Sequence, residues 1–236
     1  MMAVLSLWGI SLSAFGIGEK IVVGNGKIEM RSFDEKDFTK VELSGNMSAE
    51  IVYGVRFEIK ISTDENLYEY LSVEKIRDTL KIRTKNKVVI KKSTEYNVTI
   101  TMPAIDECIV YGGCTAVINN FGDTNDKLVL SHSGSSTITV NSLFKNIKAV
   151  QYGTGKFLLT GKAETLRFSS SGIAELYASE LQAENVYLSW AGSGYAEVYA
   201  TEKLGIDISG SGSIKYRGKP EIERSIWGSV SVTRIK

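Results

Sequence analysis

The residues that could carry chemistry are few. The one histidine, His132, lies in the serine-rich run SHSGSS at 131–136. A nucleophilic triad would need it beside an activated serine and an orienting carboxylate, and no GxSxG elbow contains these serines. His132 therefore reads as a turn-forming or exposed residue. Glu175 and Glu197 hold equivalent places in two matching segments, GIAELYA at 172–178 and GYAEVYA at 194–200. If the segments stack, the carboxylates meet on an outer face, and a pair about 5 Å apart can act as acid and nucleophile in glycoside cleavage. The simpler reading is a solvent-facing position that recurs because the segment recurs, with Lys215 near the next equivalent place forming a charge ladder.

Lys81, Arg83, Lys85 and Lys87 are spaced by two, with Lys91 and Lys92 just beyond. On a strand they make a basic stripe that could attract anionic glycans or lipid headgroups, or serve as a solvated face that guards a sheet edge. Cys108 and Cys114 are too few for a disulfide framework or a four-ligand zinc site. They read as two small buried residues, and whether they pair across the turn at Gly112 and Gly113 stays open. Gly24-Asn25-Gly26 lacks the strand-to-helix setting of a dinucleotide loop, and no GxxxxGK[ST] run occurs. No catalytic, cofactor-binding or metal-ligating residue is assigned, and no cofactor is implied. A net charge of +1, without aromatics interleaved among the basic residues, gives no footprint for nucleic acid.

The elements that would position any site are strands. VELSG at 41–45, RFEIKIS at 56–62 and TLKIRTK at 79–85 alternate apolar and polar residues, the mark of half-buried strands. Only ENLYEYLSVEKI at 65–76 approaches helical spacing, and it is expected to hold at most a short helical turn. In the second half, LSHSGSSTITV, VQYGTGKFLL, FSSSGIAELYA, LSWAGSGYAEVYA and ISGSGSIKYRG each run strand, small-residue turn, strand. Gly134, Gly155, Gly172, Gly194 and Gly212, taken as the corners, are separated by 21, 17, 22 and 18 residues. A period near 20 suits one rung of a stacked parallel array better than a propeller blade. The expected fold is thus an all-β, parallel β-helix-like solenoid of short strands, about 20 residues per rung. Leu130, Leu158, Leu176, Val198 and Ile214 should be covered by neighbouring rungs. Tyr177, Tyr199 and Tyr216 form either a stacked series or an aromatic strip for sugars.

The first sixteen residues, MMAVLSLWGISLSAFG, are uncharged and mostly apolar. They read as the apolar region of a signal peptide over 1–18, with Ala14 and Gly16 as small residues for cleavage, although no Lys or Arg precedes Lys20. The stretch falls short of a membrane span. The remainder, 19–236, reads as one domain without an integral membrane span.

Several segments together resemble the putative auto-transporter adhesin head domain family, also called the GIN-type head domain, of bacterial envelope proteins. They are FTKVELSGNMSAEIVYG, TDENLYEYLSVEKIRDTLKIRT, VTITMPAIDECIVYGG and SGSGSIKYRGKP with the closing strand, so the likeness runs over about 28–234. Tyr111, Gly112, Gly113 and Cys114 stand where that family typically has an SGSG-like turn. The resemblance implies a right-handed β-helix-like fold, export to the periplasm, cell surface or medium, and no established enzymatic activity. The functional expectation is an exported, non-enzymatic, adhesin-like binding or structural module; its partner stays open, with a glycan, matrix or envelope protein as the candidates. The alternative is a polysaccharide-active β-helix enzyme, a lyase or glycoside hydrolase.

Overall fold

The computed structural model describes residues 18–122 and 126–236, so the signal-peptide expectation over 1–18 falls almost entirely outside the described residues. Alternation produces strands wherever it was read. The order is β1 (Lys20–Val23), β2 (Ile28–Phe33), β3 (Lys40–Gly45), β4 (Ser48–Tyr53) and β5 (Glu58–Asp64), then a 3-10 helix over Glu65–Tyr70. There follow β6 (Leu71–Ile76), β7 (Thr79–Thr84), β8 (Val88–Lys92), β9 (Tyr96–Met102), β10 (Glu107–Gly112) and β11 (Thr115–Asn119). The chain ends in β12 (Lys127–Gly134), β13 (Thr137–Leu143), β14 (Asn146–Gly153), β15 (Lys156–Arg217) and β16 (Glu221–Arg234). The segment 65–76 is one 3-10 turn running into a strand, as its spacing indicated.

The architecture corrects the expected fold class. The chain is all-β, but it is not a right-handed parallel β-helix-like solenoid of short rungs. Thirteen strands form a nearly closed, barrel-shaped mixed sheet in the order β2-β5-β9-β4-β11-β13-β15-β14-β12-β10-β3-β7-β6, with β16 added to β15. The overturning observations are pairings and continuity. β2–β5, β5–β9 and β6–β7 are antiparallel, and β15 is one continuous stretch of 62 residues that pairs with both β13 and β14 and turns back on itself, so that its Gly172, Gly192 and Gly210 lie side by side. A 20-residue period sets the register between neighbouring strands. It carries no information on hairpins at the ends or on how the two ladders join.

Register is set by one backbone feature. Gly45, Gly112, Gly134, Gly153 and Gly172 are successive register partners, as are Gly210 and Gly228, and Gly192 stands between Gly172 and Gly210. From Gly134 the intervals are 19, 19, 20, 18 and 18 residues. The corner set read from sequence mixed two positions: Gly134 and Gly172 belong to this row, whereas Gly155, Gly194 and Gly212 lie two residues further along. At Gly172 and Gly210, φ is +143° and +142°, and an added Cβ would sit 2.4 Å from the Gly153 carbonyl oxygen and 1.9 Å from that of Gly192. Other ladder carbonyls also accept hydrogen bonds: that of Gly134 from the Thr154 N–H at 2.9 Å, and that of Gly112 from the Ser135 N–H at 3.1 Å. Only glycine tolerates both the backbone angle and the approach.

Inside the barrel, Leu130, Leu176, Val198 and Ile214 are fully buried. Leu158 is the exception: Phe157 and Leu159 point inward on either side of it and leave it half-buried. His132 also departs from its reading as a turn or surface residue. Leu128, Leu130 and His132 share one face of β12, and the imidazole is fully buried, 4.9 Å from the Phe157 ring. Gly155 makes its space, since a Cβ there would lie 2.4 Å from His132 Cε1. Neither ring nitrogen has a hydrogen-bond partner among the described residues, and burial pulls the imidazole down to about 4.

Two outcomes follow. Gly210→Ala combines a disfavoured φ with backbone overlap and should lower unfolding free energy by about 3 kcal/mol or more. Ser229→Ala, one residue beyond the ladder and exposed, should change it by about 0.5 kcal/mol at most. Equal effects in urea melts would discount the ladder. His132 has a folded pKa of about 4, below its ordinary 6.5. The unfolded chain therefore binds the extra proton between those values, and stability falls as pH drops through that window, by up to about 3 kcal/mol. Denaturation of His132→Leu between pH 7 and 3.5 should lack that component.

Candidate binding surface

Because a strand alternates its side chains, the residue just before each ladder glycine points outward. Register aligns these residues into one row: Tyr111, Ser133, Tyr152 and Ser171 are successive partners, Ala191 precedes Gly192, and Ser209 partners Trp227. The aromatic members are unusually open, at 42% for Tyr111, 53% for Tyr152 and 76% for Trp227. At about 4.8 Å per strand, Tyr111 and Tyr152 stand roughly 10 Å apart, and Tyr152 and Trp227 roughly 20 Å apart. Serine and alanine form a low floor between them. Beyond the ladder, Ser193 and Ser211 add hydroxyls within 3.3 Å of each other. Such a line of exposed rings is a contact surface that folding does not require.

Four residues earlier along the same strands lies a second outward row, Lys148, Arg167, Tyr187, Gly205 and Glu223. It lines a groove of about 630 Å³. The Tyr187 ring rests on Gly205, where a Cβ would lie 2.8 Å from the ring, and the Arg167 guanidinium sits 4.1 Å above the ring centre. Ser169, Ser189 and Asp207 link this groove to the aromatic row.

The residues singled out from sequence take other places. Glu175 and Glu197 do not form a facing pair. Gly172 lies beside Gly192 and Ala174 beside Gly194, so the local offset is 20 rather than 22 residues, and Tyr195 comes alongside Glu175. Glu197 accepts the Tyr195 hydroxyl and pairs with Lys215 at 3.4 Å, the charge ladder anticipated. The Tyr195 hydrogen bond first, and Lys215 after it, hold the Glu197 carboxyl below its ordinary value. Tyr177 packs against Tyr195, with ring centres 5.5 Å apart, and Tyr216 turns against the core, so Tyr177, Tyr199 and Tyr216 are not one strip.

The basic stripe is neutralised at its first two members. Lys81 meets Glu42 and Arg83 meets Glu74, each at 2.8 Å, while Lys85 donates to the Glu69 carbonyl. Cys108 and Cys114 are free and buried; burial pushes the Cys108 thiol up to about 12. Gly24-Asn25-Gly26 wraps a carboxylate of the protein itself. Burial pushes Asp64 up, but the Thr94 and Gly26 N–H groups, at 2.7 and 2.6 Å, and the Thr94 hydroxyl at 2.9 Å more than offset this and keep it ionised. Among the described residues no cluster of three or more His, Cys, Asp or Glu could hold a metal ion. The aromatic row escaped sequence reading, yet it has a signature there: Tyr111-Gly112, Tyr152-Gly153 and Trp227-Gly228 are all aromatic-glycine dipeptides.

Comparison with known proteins places the fold. A crystal structure described as a putative lipid binding protein from Parabacteroides distasonis is 26% identical, with a TM-score of 0.78 over 92% of this chain and 100% of that one. One described as a putative adhesin from Bacteroides fragilis is 23% identical, with a TM-score of 0.84 over 91% and 100%. A third, a putative adhesin from Parabacteroides merdae, is 23% identical, with a TM-score of 0.72 over 92% and 100%. No curated protein matches the chain. A family model matches residues 37–220, from the approach to β3 through the exit of β15, and the chain therefore belongs to the family described as putative auto-transporter adhesin, head GIN domain.

Proposed function

We propose that this protein is an exported, non-enzymatic, adhesin-like module of the bacterial envelope that holds an extended glycan along its aromatic row. The observation that carries the reading is the alignment of Tyr111, Tyr152 and Trp227 on a serine floor. An exposed ring offers a flat apolar face for the C–H side of a sugar, and neighbouring hydroxyls supply adaptable hydrogen bonds. Two strands, at roughly 10 Å, match the length of a disaccharide. Export draws support from the adhesin family and from the apolar stretch at 1–18, read as a signal peptide. Among the described residues no helix is long and apolar enough to cross a membrane. The enzymatic alternative loses its motivating pair, because Glu197 is committed to Tyr195 and Lys215 and its register neighbour is not Glu175.

Trp227→Ala and Tyr152→Ala should each weaken retention in glycan-containing affinity gels about tenfold, equivalent to ~1.4 kcal/mol, without altering thermal stability. Unchanged retention in the double variant, or new reducing or unsaturated ends appearing with the wild type, would count against the reading. Protein recovered from the envelope should begin near residue 18; recovery with Met1 intact would remove the export component.

A further inference from the structure

Ten basic side chains among the described residues, Lys27 and Arg31 included, have an acidic partner. Lys40, Lys60, Lys81, Arg83, Lys145, Lys203, Lys215 and Arg217 all lie within ion-pair distance of a carboxylate. Lys148 and Arg167 are not among them, and it is their placement that sets them apart. They are direct register partners on adjacent strands, both are exposed, and neither forms an ion pair among the described residues. Like charges directly opposite each other destabilise a sheet, so folding alone does not favour this pair.

Arg167 is also held in place. Gly205 lets the Tyr187 ring lie down, and the ring carries the guanidinium at 4.1 Å. A stacked guanidinium keeps its in-plane N–H groups free, the geometry that grips a carboxylate with two parallel hydrogen bonds. Glu223 lines the same groove but is taken by Lys203 at 2.7 Å. Asp207 lines the groove further across, together with Ser169 and Ser189.

We propose that Lys148 and Arg167 form a subsite for the carboxylate of a uronic-acid unit in an acidic polysaccharide, with Tyr187 as the residue that positions Arg167. The inference rests on the glycan reading above and names the class of glycan. A polysaccharide fits better than a membrane surface, because membrane attraction draws on clusters of roughly four to eight basic residues. Here three cations, Lys148, Arg167 and Arg224, share a serine-lined groove with Asp207 and Glu223, and the groove continues to the aromatic row.

The test compares polygalacturonate, its fully methyl-esterified form and phosphatidylserine vesicles, using the full chain. Wild type should be retained at least tenfold more strongly by polygalacturonate than by the ester, and added salt should remove the difference. Lys148→Gln/Arg167→Gln should bring the two polymers level, with Arg167→Lys intermediate because charge remains but the planar fork is lost. Tyr187→Ala should behave like loss of Arg167 while melting normally. Equal retention of acid and ester by wild type, an unchanged preference in the double Gln variant, or charge-dependent binding to vesicles but not to polygalacturonate would each overturn the proposal. If Trp227→Ala abolishes retention of both polymers and the double Gln variant alters neither, the aromatic-row reading stands and the subsite falls. If the acid preference survives Tyr152→Ala/Trp227→Ala at full strength, the subsite stands and the row falls.

Discussion

The close approach of glycine backbones governs this molecule. From Gly45 to Gly228, each ladder glycine after the first lies against the carbonyl of its predecessor, so closely that a Cβ at most of these positions would fall within 3 Å of that oxygen. The constraint is local, but alternation spreads its consequences. Once the glycines are in line, the residues before them point outward in a row and those four places earlier form another. The aromatic row and the Lys148–Arg167 groove are thus consequences of one register.

The ladder does not by itself make a closed core. Parallel strands leave the ends of a stack bare, and this chain covers one end with antiparallel elements: β6 against β7, and β5 with β2 against β9. Asp64, at the end of β5, ties that region to the glycine-rich turn at Gly24 and to Thr94 through charged hydrogen bonds. The remaining small sheet, β1 on β8, is held beside it. Paired charges reinforce the same region, where Lys81 meets Glu42 across β7 and β3. The contrast with Lys148 and Arg167 gains meaning here, since opposite charges face each other across strands elsewhere in the sheet.

Strand positions were legible because half-buried strands write their alternation directly into the sequence, as in Val41, Leu43, Ile59 and Ile61, all fully buried. The repeat was legible too, but its phase was not. A corner of the form Gly-x-Gly offers two glycines two residues apart, and choosing Gly155 and Gly194 in place of Gly153 and Gly192 shifted the apparent offset to 22. That slip brought Glu175 and Glu197 together on paper and apart in the fold. His132 was misplaced for another reason: its polarity outweighed the period-two pattern from Leu128 and Leu130 that points it inward. Sheet closure and the acids that neutralise Lys81 and Arg83 depend on contacts 39 and 9 residues away, which no local pattern encodes.

The division between ladder and flanking rows also separates stability from recognition. Most ladder positions admit one residue type, because a side chain there collides with a neighbouring backbone. The outward rows beside it face solvent, where most substitutions cost little stability. Residues such as Trp227 and the like-charged Lys148–Arg167 pair carry a penalty in those rows without a compensating contact in the fold, one through exposed apolar area and the other through repulsion. A rigid ladder that fixes spacing at about 4.8 Å per strand can therefore present different chemistry in each row without changing shape. On that arrangement the spacing of the ligand's repeating units is matched by the backbone, and its identity is read by side chains that the backbone merely aligns.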